Sequence, residues 1–246
     1  MRRPARHRSQ GAMTGELAAA FEQEFQAWRK SWLESIVDDY GALSRYRAAN
    51  AALKPPRPGE NRIVFFGDSI TEGWNLEEHF PGKPTINRGI SAQTTAQMLL
   101  RFRQDVVALR PSAVVILAGT NDIGGNCGPV LAEDIQANIA SMVEIARANS
   151  VSAILSSLLP PPHKTTPLSR YNLLKHPPEK IAELNRRLKD YSASHASAFI
   201  DYFAAMSDAD GFLAPAFSED GIHPLPTGYA VMAHVARSEI GRTLEI

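Results

Sequence analysis

The sequence predicts an α/β fold in which a parallel sheet is covered by helices on both faces. Short apolar runs of strand type alternate along the chain with segments whose large apolar residues recur at every third or fourth position. Such alternation is typical of parallel sheets, because each crossover between strands lays a helix on one face of the sheet. The chain has 246 residues and shows no internal repeat, which fits one such domain with an added element.

The composition indicates a folded, soluble protein whose partner is a small neutral molecule. Apolar residues make up 44% of the chain, and 26 basic residues balance 26 acidic ones, so no global field attracts nucleic acid or an anionic membrane. No apolar run approaches the roughly 20 residues that cross a bilayer. The single cysteine, Cys127, excludes an intramolecular disulfide and a multi-cysteine metal site, and it leaves the compartment open.

The N-terminal quarter is predicted to stand apart from the sheet domain. Residues 1–13 are basic and are expected to form a poorly ordered tail, or to follow a removed signal, so the protein is either cytoplasmic or secreted. Residues 14–55 are predicted to form a helical arm, because their apolar residues fall at helical spacing until Pro55-Pro56. We expect this arm to pack on the flank of the domain; a homo-oligomer interface and a membrane-surface helix are alternatives. Its first apolar series is Leu17, Phe21, Phe25, Trp28, Trp32 and Ile36.

The main domain is placed at residues 56–246, and its first half contains three predicted strands. Residues 63–67 form an apolar run that stops on a glycine, and this glycine permits a tight turn that presents Ser69. Residues 84–89 form a short strand that also ends on a glycine. Residues 113–117 form a near-continuous apolar strand that leads directly into a glycine and polar residues.

The second half continues the alternation of strands and helices. Residues 151–155 and 198–200 are the remaining predicted strands, and a closing helix starts at Thr227. Residues 159–178 contain six prolines, so we expect a long irregular loop over the active face. The inner faces of the intervening helices are predicted to be Leu131, Ile135, Ile139, Met142 and Ile145, and then Ile181, Leu184, Leu188 and Tyr191.

Small and polar residues follow several strands at the point where each strand ends. Ser69, Gly89 and Asn121 occupy such positions, and ligands bind at the carboxyl edge of an open α/β sheet. Asp220 precedes His223 by three residues, so a single turn can bring its carboxylate against the imidazole Nδ1. We therefore expect these five residues to form one site.

This set of residue types is suited to acyl transfer. A serine hydroxyl becomes a good nucleophile when a base takes its proton, and histidine, with an unperturbed pKa of about 6.5, does this at neutral pH. Ser69 is thus predicted to be the nucleophile, His223 its base and Asp220 the group that orients the base. The oxyanion of the intermediate needs hydrogen-bond donors, and we expect them to be the N–H groups of Ser69 and Gly89 and the amide of Asn121.

Four blocks of the sequence resemble, in the same order, those of the GDSL-motif or SGNH hydrolases. The resemblance implies a flavodoxin-like three-layer α/β/α sandwich with the nucleophile, base, acid and oxyanion donors at the positions just given. It also implies hydrolysis of the esterase or lipase type, without a metal or other cofactor, in a catalytic domain at residues 56–246. The blocks are Gly67-Asp68-Ser69, Asn87-Arg88-Gly89, Gly119-Thr120-Asn121-Asp122 and Asp220-Gly221-Ile222-His223.

Four further side chains are candidates for contact with substrate, and each also has a simpler interpretation. Asp68 is expected to brace the turn before Ser69, and Asp122 to hold its own loop. Trp74 can line a pocket or cover the core, and His163, like His176, can reach substrate from the proline-rich segment or be an ordinary loop histidine. The histidines show no metal-binding spacing.

The sequence favours an ester hydrolase for short- to medium-chain acyl groups, since no long apolar lid is visible. Carbohydrate O-deacetylation is an alternative, as is hydrolysis of a lysophospholipid or thioester. A catalytically silent module that binds sugars or esters is the alternative from another functional class. The sequence does not discriminate among these substrate classes.

Overall fold

The computed structural model describes residues 15–195 and 197–245. Within them, a parallel five-stranded sheet has the order β2-β1-β3-β4-β5, which confirms the flavodoxin-like three-layer arrangement. The basic tail predicted for residues 1–13 lies outside the described residues. The strands are β1 (Ile63–Gly67), β2 (Thr85–Gly89), β3 (Ala113–Leu117), β4 (Ser152–Ser156) and β5 (Ala198–Ile200).

Helices cover both faces of the sheet and connect its strands. None of the helices in the described part of the chain is long and apolar enough to cross a membrane. They are α1 (Gly15–Ser35), α2 (Arg47–Ala52), α3 (Ser69–Glu72), α4 (Leu76–His79), α5 (Thr95–Asp105), α6 (Thr120–Gly124), α7 (Ala132–Ala148), α8 (Pro167–Lys175), α9 (Pro178–Ser194), α10 (Tyr202–Met206) and α11 (Pro226–Leu244).

The central strands β1 and β3 have every residue buried, because helices pack on both of their faces. This explains why the two strands read as continuous apolar runs rather than as alternating patterns. In the register of the sheet, Gly67 pairs with Gly89 on one side and with Leu117 on the other. Three strands therefore end at one level, and the segments that follow them lie side by side.

The proline-rich segment is the main departure from the predicted elements. Helix α8 lies within it, whereas we expected irregular structure throughout residues 159–178. Pro167 occupies the first turn of α8 and Pro178 that of α9, where a missing backbone N–H costs nothing, and Thr166 caps α8. Leu131 is a second difference: it is the N-cap of α7 and is largely exposed, so it does not belong to the inner face.

Truncation of Ile116, a buried residue of β3, tests the account of the core. We expect Ile116→Ala to lower the free energy of unfolding by about 2–5 kcal/mol, because it leaves a cavity between packed layers. Leu100→Ala removes an exposed side chain of α5 and serves as the control, with an expected change within about 0.5 kcal/mol. Urea unfolding measures both values; equal effects of the two substitutions would contradict the assignment of β3 to the core.

Candidate active site

The turn after β1 presents Ser69 at the carboxyl edge of the sheet. A Cβ at Gly67 would lie 2.0 Å from Thr71 Oγ1 and 2.8 Å from the Leu117 carbonyl oxygen, so only glycine permits this close turn. Asp68 caps α3, since its Oδ1 accepts the N–H of Ile70 at 3.0 Å. Ser69 is consequently the first residue of a helix, with its side chain free to meet a partner.

The structure brings Ser69, His223 and Asp220 into one hydrogen-bonded chain. Ser69 Oγ lies 3.0 Å from His223 Nε2, and His223 Nδ1 lies 2.7 Å from Asp220 Oδ2. The other carboxylate oxygen, Oδ1, accepts the backbone N–H groups of Ile222 and His223, both at 2.8 Å. Gly221 has φ +82°, which closes the turn between the acid and the histidine.

Electrostatic interactions in this hydrogen-bonded series keep Asp220 ionised and favour protonation of His223. Partial burial raises the pKa of Asp220, but its hydrogen bonds from His223 and from the backbone outweigh burial and hold that pKa well below its ordinary value. The hydrogen bond to Asp220 raises the pKa of His223 in spite of burial, and the charge of Asp68 acts in the same direction. Asp220 thus stays ionised and stabilises the imidazolium.

Asn121 is fixed beside Ser69 by hydrogen bonds on both sides of its amide. Its Nδ2 donates to the Gln93 carbonyl at 3.0 Å and to Asp68 Oδ2 at 3.2 Å, and its Oδ1 accepts from Asn126 Nδ2 at 3.0 Å. Burial raises the pKa of Asp68 to about 6, so at neutral pH this carboxyl is mostly ionised and holds the amide. Gly119, with φ +119°, provides the sharp bend between β3 and the helix that bears Asn121.

The structure does not place the Gly89 N–H at the oxyanion position that we expected. This group donates to Asn87 Oδ1 at 2.9 Å, within its own segment. A Cβ at Gly89 would lie 2.1 Å from the backbone nitrogen of Glu72, so the glycine allows α3 to approach β2. Ala92, three residues later, lines the cavity beside Ser69, has φ +67°, and its N–H has no acceptor among the described residues.

Ser69 and His223 open into a cavity of about 350 Å³. Its walls come from four parts of the chain: the segments after the strand ends, helix α8 with the residue that follows it, helix α1, and the turn that bears Ile222 and His223. Within residues 15–195 and 197–245 there is no group of three or more His, Cys, Asp or Glu side chains arranged to hold a metal ion. The lining side chains include Phe25, Trp28, Asn121, Asn126, Tyr171, Asn172, Lys175, His176 and Ile222.

The four additional candidates for substrate contact make structural contacts and do not line this cavity. Asp68 caps α3, as described above. Trp74 is only 4% exposed and packs in the core, with its ring centroid 5.3 Å from that of Phe65. His163 is buried against the Ser218 carbonyl oxygen at 2.8 Å. Asp122 is buried and accepts hydrogen bonds from the backbone and side chain of Thr95.

Comparison with known proteins agrees with the architecture. The GDSL-like Lipase/Acylhydrolase family matches residues 65–231, which is more than half of the chain. The chain belongs to this family. Ser69, Asn121, Asp220 and His223 all lie in the matched part of this acylhydrolase, whereas α1 lies outside it.

Relatives of this acylhydrolase include two esterases. An acetylxylan esterase of Geobacillus stearothermophilus is 25% identical in an alignment of 214 positions, and the match covers 73% of this chain and 94% of the relative. Esterase TesA of Pseudomonas aeruginosa is 29% identical in an alignment of 172 positions, and the match covers 68% of this chain and 77% of that one. The crystal structure of a GDSL-like lipase from Bacteroides thetaiotaomicron is 39% identical, with a TM-score of 0.76, and the match covers 83% of this chain and 99% of that one. These findings identify a carboxylic ester hydrolase.

Two groups of cavity residues escaped the sequence analysis. An alanine carries no sequence signal for a positive φ, so nothing in the pattern pointed to Ala92. The aromatic residues of α1 were recognised as a helix face but were expected on the flank of the domain. His176, by contrast, was named as able to reach substrate, and it does line the cavity.

Replacement of Asp220 by asparagine tests the electrostatic account. We expect Asp220→Asn to lower the pKa of His223, because the variant removes the carboxylate that stabilises the imidazolium. NMR titration of the histidine ring measures this pKa, with Asp210→Asn, an exposed site, as the matched control. An unchanged or higher pKa of His223 in Asp220→Asn would contradict the assigned pairing.

Proposed function

We propose that this acylhydrolase cleaves esters of short- to medium-chain acyl groups through an acyl-enzyme on Ser69. The observation that carries the proposal is the unbroken hydrogen-bonded chain from Ser69 Oγ through His223 to Asp220. A serine joined to a histidine, which is joined in turn to a carboxylate, is the arrangement that activates a hydroxyl for attack on a carbonyl.

In the first half-reaction, Ser69 Oγ attacks the ester carbonyl carbon while its proton passes to His223 Nε2. The tetrahedral intermediate then breaks the bond to the alcohol oxygen, and His223 returns the proton to that oxygen. In the second half-reaction, water attacks the acyl-enzyme and gives a proton to His223. The bond between Ser69 Oγ and the acyl carbon then breaks, His223 returns the proton to Ser69 Oγ, and the carboxylic acid is released. Asp220 stabilises the imidazolium in both halves.

The negative charge on the carbonyl oxygen needs fixed donors in each intermediate. The proposal assigns this role to the backbone N–H groups of Ser69 and Ala92, which lack acceptors among the described residues, together with Asn121 Nδ2. Asn121 Nδ2 donates two hydrogen bonds, and the one to Asp68, at 3.2 Å, is the longer. We assign this bond as the one that breaks when Asn121 Nδ2 donates to the oxyanion. Ala92 replaces Gly89, whose N–H is already bonded to Asn87.

The size of the cavity supports a short acyl group, because about 350 Å³ must hold parts of both the acyl group and the alcohol. Removal of acetyl groups from carbohydrates is one form of this activity. It is favoured by the similarity to an acetylxylan esterase that spans almost the whole of that relative. The amide side chains in the cavity wall are suited to sugar hydroxyl groups.

Hydrolysis of nitrophenyl acetate, butyrate, octanoate and palmitate tests the proposal. We expect the wild-type rate to fall as the acyl chain lengthens, and Ser69→Ala to lose at least about 10³-fold in activity because the nucleophile is gone. Ser141→Ala, which changes a serine on α7 remote from the cavity, is the matched control and should keep the wild-type rate.

Each other outcome of this assay has a definite meaning. Equal activity of the wild type and Ser69→Ala would show that Ser69 is not the nucleophile. A wild-type protein inert toward all four esters would contradict short-chain ester hydrolysis and favour a binding module. A rate that rises toward palmitate would overturn the assignment of a short acyl group.

A further inference from the structure

Helix α1 supplies aromatic side chains on both sides of His223. Phe25 and Trp28 line the 350 Å³ cavity that contains Ser69 and His223. Phe21, one turn earlier, lines a second cavity of about 520 Å³ that also contains His223. This helix lies outside the residues that match the acylhydrolase family.

Specific polar contacts hold α1 over the site. Glu22 pairs with Lys175 of α8 at 2.6 Å and accepts the hydroxyl of Tyr171 at 3.0 Å, and Arg29 Nε donates to the Asn126 carbonyl at 2.8 Å. Hydrogen bonds from Gln26 and then Lys175 lower the pKa of Glu22 to about 2, so the ion pair persists at neutral pH. The contacts fix which face of α1 meets the cavity.

The apolar face of α1 is not buried in the hydrophobic core. None of its described residues is buried, and Trp28 remains 43% exposed although it lines the cavity. Its ring is stacked against that of Trp32 at 5.7 Å and 8°, and the Phe25 ring lies 5.7 Å away. An aromatic surface made of two rings inclined at 36° to each other, Phe25 and Trp28, therefore borders the cavity that contains Ser69.

The chemistry decides which part of the ester meets this surface. His223 must deliver its proton to the oxygen of the departing alcohol, so the alcohol lies on the side of His223 that faces α1 and α8. There Asn126 and Asn172 accompany the aromatic rings of Phe25 and Trp28. The Nδ2 groups of both asparagines already donate to protein oxygens, so their Oδ1 atoms are the ones that can accept hydrogen bonds from hydroxyl groups. An aromatic face beside amides is complementary to a ring with a flat apolar face and polar edges.

We propose that α1 is the leaving-group wall of the active site and that Phe25 and Trp28 bind a ring-shaped alcohol, either a sugar or an aromatic alcohol. This inference rests on the proposed ester hydrolysis and extends it to the alcohol. A simple alkyl alcohol matches the wall less well, because its chain offers no hydroxyl group to the Oδ1 atoms of Asn126 and Asn172.

Three acetate esters test the proposal: an acetylated xyloside, phenyl acetate and n-hexyl acetate. All three form the same acetyl-enzyme, so differences among them arise before the alcohol leaves and appear in kcat/KM. We expect Trp28→Ala and Phe25→Ala to lower kcat/KM about two- to tenfold for a ring ester, through KM, and to change the value for hexyl acetate less than twofold.

Matched variants separate ring recognition from a general disturbance of α1. Lys30→Ala removes an exposed side chain of the same helix that does not line the cavity, and it should retain wild-type kinetics. Trp28→Leu keeps apolar bulk without a flat face and should behave like Trp28→Ala. Glu22→Gln weakens the docking of α1 and should raise KM for the ring esters.

The results distinguish a sugar alcohol from an aromatic alcohol. They also distinguish failure of the ring-binding proposal from failure of the proposed function. A loss confined to the xyloside identifies a sugar alcohol, and a loss confined to phenyl acetate identifies an aromatic one. Equal losses for all three esters, or none, overturn the wall as a ring-binding surface while leaving Ser69-dependent hydrolysis intact. If Ser69→Ala retains activity, the proposed function itself fails.

A binding measurement keeps the inference testable without turnover. Tryptophan fluorescence of Ser69→Ala, titrated with xylobiose and separately with phenol, should show saturable quenching for at least one of them. The same titration of Ser69→Ala combined with Trp28→Leu should show weaker binding. Equal affinity in the two proteins, or no saturation with either ligand, contradicts the inference.

Discussion

The buried guanidinium of Arg101 holds together three of the segments that build the site. Its Nη2 donates to the Gly67 carbonyl at 3.0 Å, its Nη1 to the Arg88 carbonyl at 2.9 Å, and its Nε to the Gln93 side chain at 2.5 Å. Burial lowers the pKa of Arg101 to about 10 against the opposing charge of Asp105, so the group remains charged at neutral pH. One fully buried cation thus ties the ends of β1 and β2 to the loop after β2.

These ties set the relative positions of the reacting groups. Gly67 leads to Ser69, and the carbonyl of Gln93 accepts a hydrogen bond from Asn121. Ser69 and Asn121, the proposed nucleophile and one of the proposed oxyanion donors, are therefore positioned by the same buried network. Such preorganisation is what makes fixed donors effective in stabilising an oxyanion. The helix α1, docked by partly buried polar contacts, is a separate layer that shapes the cavity above this base.

Much of this arrangement followed from the sequence, and the exceptions have physical causes. The strands, and the positions of Ser69 and Asn121 at their ends, were predictable because apolar runs and the turns after them are local signals. Gly89 was predicted to be an oxyanion donor, but the glycine is there because α3 packs closely against β2. The residue with a positive φ in the cavity beside Ser69 is Ala92. Helix α8 was missed because prolines break a helix interior but suit its first turn. The position of α1 depends on contacts between distant parts of the chain, which no local pattern encodes.

The most direct test of the account is detection of the acyl-enzyme. The protein is mixed with nitrophenyl acetate, quenched in acid during turnover, digested and analysed by mass spectrometry. The account predicts one acetyl group on the peptide that contains Ser69, and none on the corresponding peptide of Ser69→Ala. Continued turnover with no acetylated peptide, or with acetyl on another residue that is needed for turnover, would contradict it.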